Sequence, residues 1–217
     1  MSEKGFTLVE LAIVLVIIGV LIGGVIRGQG MIEAARGKKV VTDATVFVNA
    51  QYRYYERMGQ YSGDDDNDGK IDFATLNSAK PDDSNVNTST DVDFAFTRLK
   101  AVGIFPDSST NAQLSTTQRG GFMYFAGSTL TDAAGNSLPV NMVVLRNVEC
   151  AAAFALELNV DSTSPDATTG ASTGKIRRLS GNAFAGSSWT ATNGDCVTGG
   201  KVVGSNTTNV AYIFSGL

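Results

Sequence analysis

The sequence contains no histidine, and only two cysteines, four prolines and one tryptophan among its 217 residues. The first absence excludes the most. Histidine is the commonest general base, the usual activator of a serine or cysteine nucleophile and the commonest neutral metal ligand. A triad hydrolase or an imidazole-held zinc therefore has nothing to build on, and we read the chain as a non-enzyme. The two cysteines, Cys150 and Cys196, allow one intramolecular bridge at most. Outside the cytosol they would pair; inside it, two buried thiols are the simpler state. Positive charge is scarce too: 17 basic against 21 acidic residues leave a net charge of -4. Nucleic acid is thereby disfavoured as the primary partner, because that work needs a basic surface to displace counterions.

What is present is unevenly distributed. Twenty-four glycines, with many Ser, Thr, Asn and Asp residues, predict long loops, and a hydrophobic content of 43% is enough for a core. The length suits one domain with an appendage. Nine aspartates crowd between Asp64 and Asp93.

The appendage is N-terminal. From Phe6 to Ile26 every residue is apolar or glycine except Thr7 and Glu10. As a helix rising ~1.5 Å per residue, that run reaches ~30 Å, the hydrocarbon thickness of a bilayer. A cleaved secretory signal would have a positive start, a shorter apolar core and small residues after it. Here the start is "MSEK", the run is long, and Arg27, Arg36, Lys38 and Lys39 follow it. A membrane anchor fits better, except for its carboxylate. Near the bilayer centre such a charge costs ~2.5–3.5 kcal/mol unless it is paired, and no Lys or Arg lies between residues 5 and 26. Scission between Gly5 and Phe6 would supply the missing cation, an amine four residues from Glu10 on its own chain or within reach from a neighbouring copy.

At "KGFTLVEL", residues 4–11, the chain resembles the processing motif of type IV pilins and of the pseudopilins of type II secretion. The resemblance implies a leader at 1–5, cut after Gly5 by a prepilin peptidase that also N-methylates Phe6, with Glu10 as the assembly residue. It also implies a single-pass membrane-anchored precursor, an inner-membrane assembly platform and a homopolymer. The product would be an extracellular pilus or, as the alternative, a periplasmic pseudopilus. A membrane-anchored calcium-binding adhesin is the competing class. The fold it implies is α+β: a transmembrane and assembly half-helix at 6–30, an amphipathic half at 31–60, and an antiparallel-sheet head at 61–217. In many relatives a proline interrupts the helix about twenty residues in. Here the neighbourhood holds Gly19, Gly23, Gly24, Gly28 and Gly30 instead, which either weaken the helix or permit close packing.

Past the anchor, Val41, Ala44, Val48, Tyr52 and Tyr55 recur at spacings of three and four, predicting one buried stripe on a helix that ends near Gly59. The stretch "GDDDNDGKID", 63–72, follows. Asp64, Asp66 and Asp68 alternate, Gly69 permits a tight turn, the Lys70 carbonyl follows, and Asp72 comes next. These match the first nine positions of an oxygen-only calcium loop. Position 12 is Thr75 rather than a glutamate, so Asp82, Asp83 or water would complete the shell.

Farther on we expect a short helix within "STDVDFAFTRLKAVGIF", 89–105, capped by Ser89 or Asp91, strands at 121–127 and 139–148, a helix in "ECAAAFALELNV", loops at 161–200, and closing strands in "KVVGS" and "VAYIFSG". The pilin resemblance further implies that Cys150 and Cys196 close a C-terminal loop as a disulfide.

Overall fold

The computed structural model describes residues 8–84, 86–117, 120–131, 135–162, 174–185, 196–198 and 201–216. A single helix, α1 (Leu8–Met58), dominates. It runs unbroken through the five glycines between Gly19 and Gly30 and stops at Gly59, whose φ of +76° needs no Cβ and whose N–H reaches the Tyr55 carbonyl at 2.8 Å. Then come α2 (Phe94–Ala101), α3 (Asn111–Ser115), β1 (Phe122–Thr131), β2 (Ser137–Glu149) and α4 (Cys150–Val160). The chain ends in β3 (Ile176–Ser180), β4 (Ala183–Phe184), β5 (Val197–Thr198), β6 (Lys201–Val202) and β7 (Thr207–Ser215). The main sheet is antiparallel throughout, in the order β1-β2-β7-β3-β4, with a separate β5-β6 hairpin. This is the α+β arrangement expected, a long helix laid on an antiparallel head.

Helix α1 has two unlike halves. Leu8–Val25 contains no buried residue, whereas Val40, Ala44, Phe47, Val48, Gln51 and Tyr54 are buried against the head. Phe47 is the key: its ring lies 5.2 Å from that of Phe125 on β1, 5.8 Å from Phe96 and 5.5 Å from Phe105. Aromatic clusters of this spacing add to plain area burial. At the lower edge of the head, buried Gly37 lets α4 approach: a Cβ there would sit 3.5 Å from the Ala151 carbonyl and the Ala155 methyl.

Four expectations are corrected. Ala44 and Val48 do face inward, but Tyr52 and Tyr55 are 41% and 46% exposed, because the sheet selects the stripe carrying Phe47 and Tyr54. The cap of α2 is Asp93, not Ser89 or Asp91; the Asp91 carboxylate instead accepts the Asp93 N–H at 2.9 Å. Strand β3 lies in a stretch read as loop, and β6 pairs only with β5 rather than closing the main sheet.

The Cys150–Cys196 disulfide is formed, with both residues fully buried and their Cα atoms 5.6 Å apart. It ties the first residue of α4 to the segment entering β5.

Candidate functional site

Two features stand apart from the packed core: the bare half of α1 and the acidic loop beyond its other end. Glu10 lies in the first turn of α1 and is exposed. Gly5 and Phe6 lie outside the described residues. Around Gly19, Gly23, Gly24 and Gly28 a Cβ would meet nothing within 4 Å, so nothing within the described chain packs on those positions.

The acidic loop is positioned from below, from the side and from across the sheet. From below, the Gln51 amide on α1 accepts the Ser62 N–H at 2.9 Å and donates to the Ser62 carbonyl at 3.1 Å, while the Ser62 hydroxyl donates to the Ala95 carbonyl at 2.6 Å. All of this is buried. The next residue, Gly63, has φ +98° and is hemmed in by Ile71 and Ala95. From across the sheet, Asn141 on β2 accepts the Ile71 N–H at 2.7 Å and donates to the Gly69 carbonyl at 2.8 Å and the Ser215 hydroxyl oxygen at 2.9 Å. At the free edge of β1, the Gly127 N–H reaches the Phe73 carbonyl at 2.8 Å. The chain leaving the loop thus covers an edge that would otherwise be open to pairing. A methyl on Gly127 would stand 2.0 Å from the Ile71 carbonyl oxygen, so only glycine admits this approach.

Within this frame, carboxylate oxygens of Asp64, Asp66 and Asp68 come within 4.8 Å of one another, the only such acidic trio among the described residues. Asp64 is the inner member at 1% exposure, while Asp66 and Asp68 are exposed. The turn is wound by its own amides. Asp64 accepts N–H groups of Asp68 at 3.2 Å and Gly69 at 3.0 Å, Asp66 accepts that of Asp68 at 3.1 Å, and Asp68 accepts that of Lys70 at 2.8 Å. Positive φ at Asn67 and Gly69 closes the curve.

Burial raises the Asp64 carboxyl above its ordinary value, and the neighbouring Asp68 charge pushes the same way against the backbone donors. The loop therefore holds an anion that its surroundings do not fully satisfy. Asp65 points elsewhere, onto Arg98 at 2.6 Å.

Asp72 falls outside the trio and accepts the Asp65 N–H at 3.1 Å. Asp82 and Asp83, candidates to complete the shell, belong to a different group of residues: the Asp83 carboxylate accepts the Asn111 N–H at 2.9–3.0 Å. Thr75 turns its carbonyl to the Tyr124 hydroxyl at 3.1 Å.

Sequence reasoning missed Gln51, Asn141 and Gly127. Asn141 did carry a signal, as a lone amide within the otherwise apolar run 139–145; Gln51, flanked by Asn49 and Arg53, did not.

A family model described as the prokaryotic N-terminal methylation motif matches residues 1–26. No curated protein is significantly similar to the chain, and no solved structure is either.

Proposed function

We propose that this chain, a type IV pilin-like or pseudopilin protein by its methylation motif, is the structural subunit of an extracellular type IV pilus-like filament. One observation carries the reading. The upper half of α1 is packed under the head, whereas Leu8–Val25 has no buried residue. Apolar surface of that extent needs cover, and the cover is of two kinds in succession: lipid around the anchored precursor, then the helices of neighbouring copies in the filament.

A prepilin peptidase cuts between Gly5 and Phe6 and methylates Phe6. The new amine meets Glu10 of an adjacent copy, which sets the register as the assembly platform draws each subunit from the membrane. The chain's own chemistry is assembly rather than catalysis. A pilus is preferred over a secretion pseudopilus because the head closes a loop with the Cys150–Cys196 disulfide, a habit of pilins more than of pseudopilins.

The acidic loop is assigned a calcium ion. Carboxylate oxygens within 4.8 Å of one another suit an ion that binds oxygen at roughly 2.3–2.6 Å. Asp64, Asp66 and Asp68 would hold it directly, with the Lys70 carbonyl and Asp72, the latter through water. Bound there, the ion supplies the positive charge that this turn lacks.

Glu10→Ala tests the assembly role. Processing should proceed while filament yield falls severely. Normal filament yield would reject the register role and favour a membrane-anchored adhesin that works as a monomer.

A further inference from the structure

Beside the upper half of α1 lies an open groove of about 1060 Å³, walled on its far side by residues 104–106 and 113–116. Phe47, Phe105 and Met123 line it with apolar surface, and Val46 stands on the helix wall 52% exposed. Grooves of this kind take the apolar face of a helix. Charge marks its two ends on α1, Lys39 toward the anchor and Glu56 toward the head.

Lys39 and Glu56 are 17 residues apart. At ~3.6 residues per turn and ~1.5 Å per residue, they stand on one side of α1, ~25 Å from each other. The anchor repeats that separation with the signs exchanged. Glu10 and Arg27 are also 17 residues apart, both exposed, and the apolar run lies between them. A parallel anchor therefore matches the groove at both ends, Glu10 against Lys39 and Arg27 against Glu56. The offset is 29 residues, or ~44 Å.

Other seatings are worse. An antiparallel anchor would set Glu10 against Glu56 and Arg27 against Lys39. Parallel offsets that bring Glu10 to Arg36 or to Arg27 set Arg53 against Arg27 or Arg36. At 29 residues no like charges on α1 fall level, Val46 comes level with Ile17, and Arg53 with Gly24, which has no side chain in its way. The anchor cannot be the chain's own, because α1 is unbroken from Leu8 to Met58 and carries it away from the groove. Anchor and groove are also different surfaces of one chain. Such a contact is heterologous and propagates into an open filament instead of closing a dimer.

We propose that the groove receives the Leu8–Val25 half-helix of a second copy, in parallel and ~44 Å farther along the filament, held by Glu10–Lys39 and Arg27–Glu56 pairs. The inference rests on the filament reading and adds which surface of a neighbour covers the anchor, and in what register. Lys39 gives up little by turning to Glu10: its 2.8 Å pair with Asp43 is a surface i,i+4 contact, worth a few tenths of a kcal/mol. Glu10 has two carboxylate oxygens, so it can meet Lys39 of one neighbour and the Phe6 amine of another.

The test uses filaments of the full-length protein. Arg27→Glu and Glu56→Arg should each lower filament yield about fivefold, with Phe6 methylation and the melting temperature of the head unchanged. The double variant, with the pair reversed, should return to near the parent yield. Unaffected single variants, or a double variant no better than either, would overturn the proposal and leave the filament reading standing. A parent that forms no filaments would overturn that reading, and this inference with it.

A second measurement does not depend on charge reversal. With Val46 replaced by the photoreactive p-benzoylphenylalanine, irradiated filaments should yield a crosslink from position 46 to a peptide within residues 8–25. Crosslinks only to other segments, or none, would contradict the docking.

Discussion

The Asn141 side-chain oxygen accepts the Ile71 N–H at 2.7 Å while its amide nitrogen holds the Gly69 carbonyl at 2.8 Å. One residue of β2 thus bridges both ends of the descending limb of the acidic loop. Asn141 is 1% exposed and stands where the β2–β7 register shifts, an irregularity of the kind that re-aims side chains. Asn141→Ala would leave a buried donor and a buried acceptor unmet, so chemical denaturation should show a loss of about 2–3 kcal/mol. Calcium affinity should fall with it. A loss below about 0.5 kcal/mol would mean that the loop does not rely on this bridge.

The Asp64 carboxyl is raised above its ordinary value mainly by burial. A raised carboxyl binds its proton more tightly in the folded state than in the unfolded one. Its contribution to stability is therefore fully present below the ordinary aspartate value and is lost as pH rises through the raised one. Without calcium, Asp64→Asn should remove that loss, so the stability difference between variant and parent should grow in the variant's favour from pH 3 toward neutrality. With calcium, the parent should gain stability near neutral pH and the variant should not. Melting curves across pH, with chelator and with excess calcium, check both directions.

Replacing both Cys150 and Cys196 by serine opens a loop whose ends are separated by 46 residues. The chain-entropy model gives a loss of about 4 kcal/mol, which corresponds to a drop on the order of 10 °C in melting temperature for a domain of this size. An unchanged melting temperature would show that the hydrogen bonds at the start of α4, Cys150 N–H to the Asn206 carbonyl at 2.7 Å and Ala151 N–H to the Gly204 carbonyl at 3.0 Å, hold that corner unaided.

The long helix, strands β1, β2 and β7, and helix α4 were legible because each presents one strong pattern over many residues. The phase of the α1 stripe was not. Tyrosines at 52, 54 and 55 put aromatic bodies on more than one face, and only the sheet, through Phe125, decides that Phe47 and Tyr54 turn inward. Tyr52, read as buried, lies at the margin, its hydroxyl donating to the Phe214 carbonyl. The cap of α2 was hidden for a related reason: the Asp93 carboxylate is engaged by Asn111 and Asp82, so it makes no side-chain cap bond that spacing would reveal. Strand β3, "IRRLS", is five residues long with two arginines, too short and too polar to stand out from its loops. In the acidic loop the alternation of Asp64, Asp66 and Asp68 was visible directly. The supports from Gln51, Asn141 and Gly127 come from 11 to 72 residues away in sequence, and no local rule reaches that far.

The proposed assembly rests on the cation that scission after Gly5 would create beside Glu10. Intact mass and fragment analysis of subunits recovered from sheared surface filaments measures this most directly. The account predicts chains that begin at an N-methylated Phe6. Filaments built from chains still carrying Met1 would contradict it.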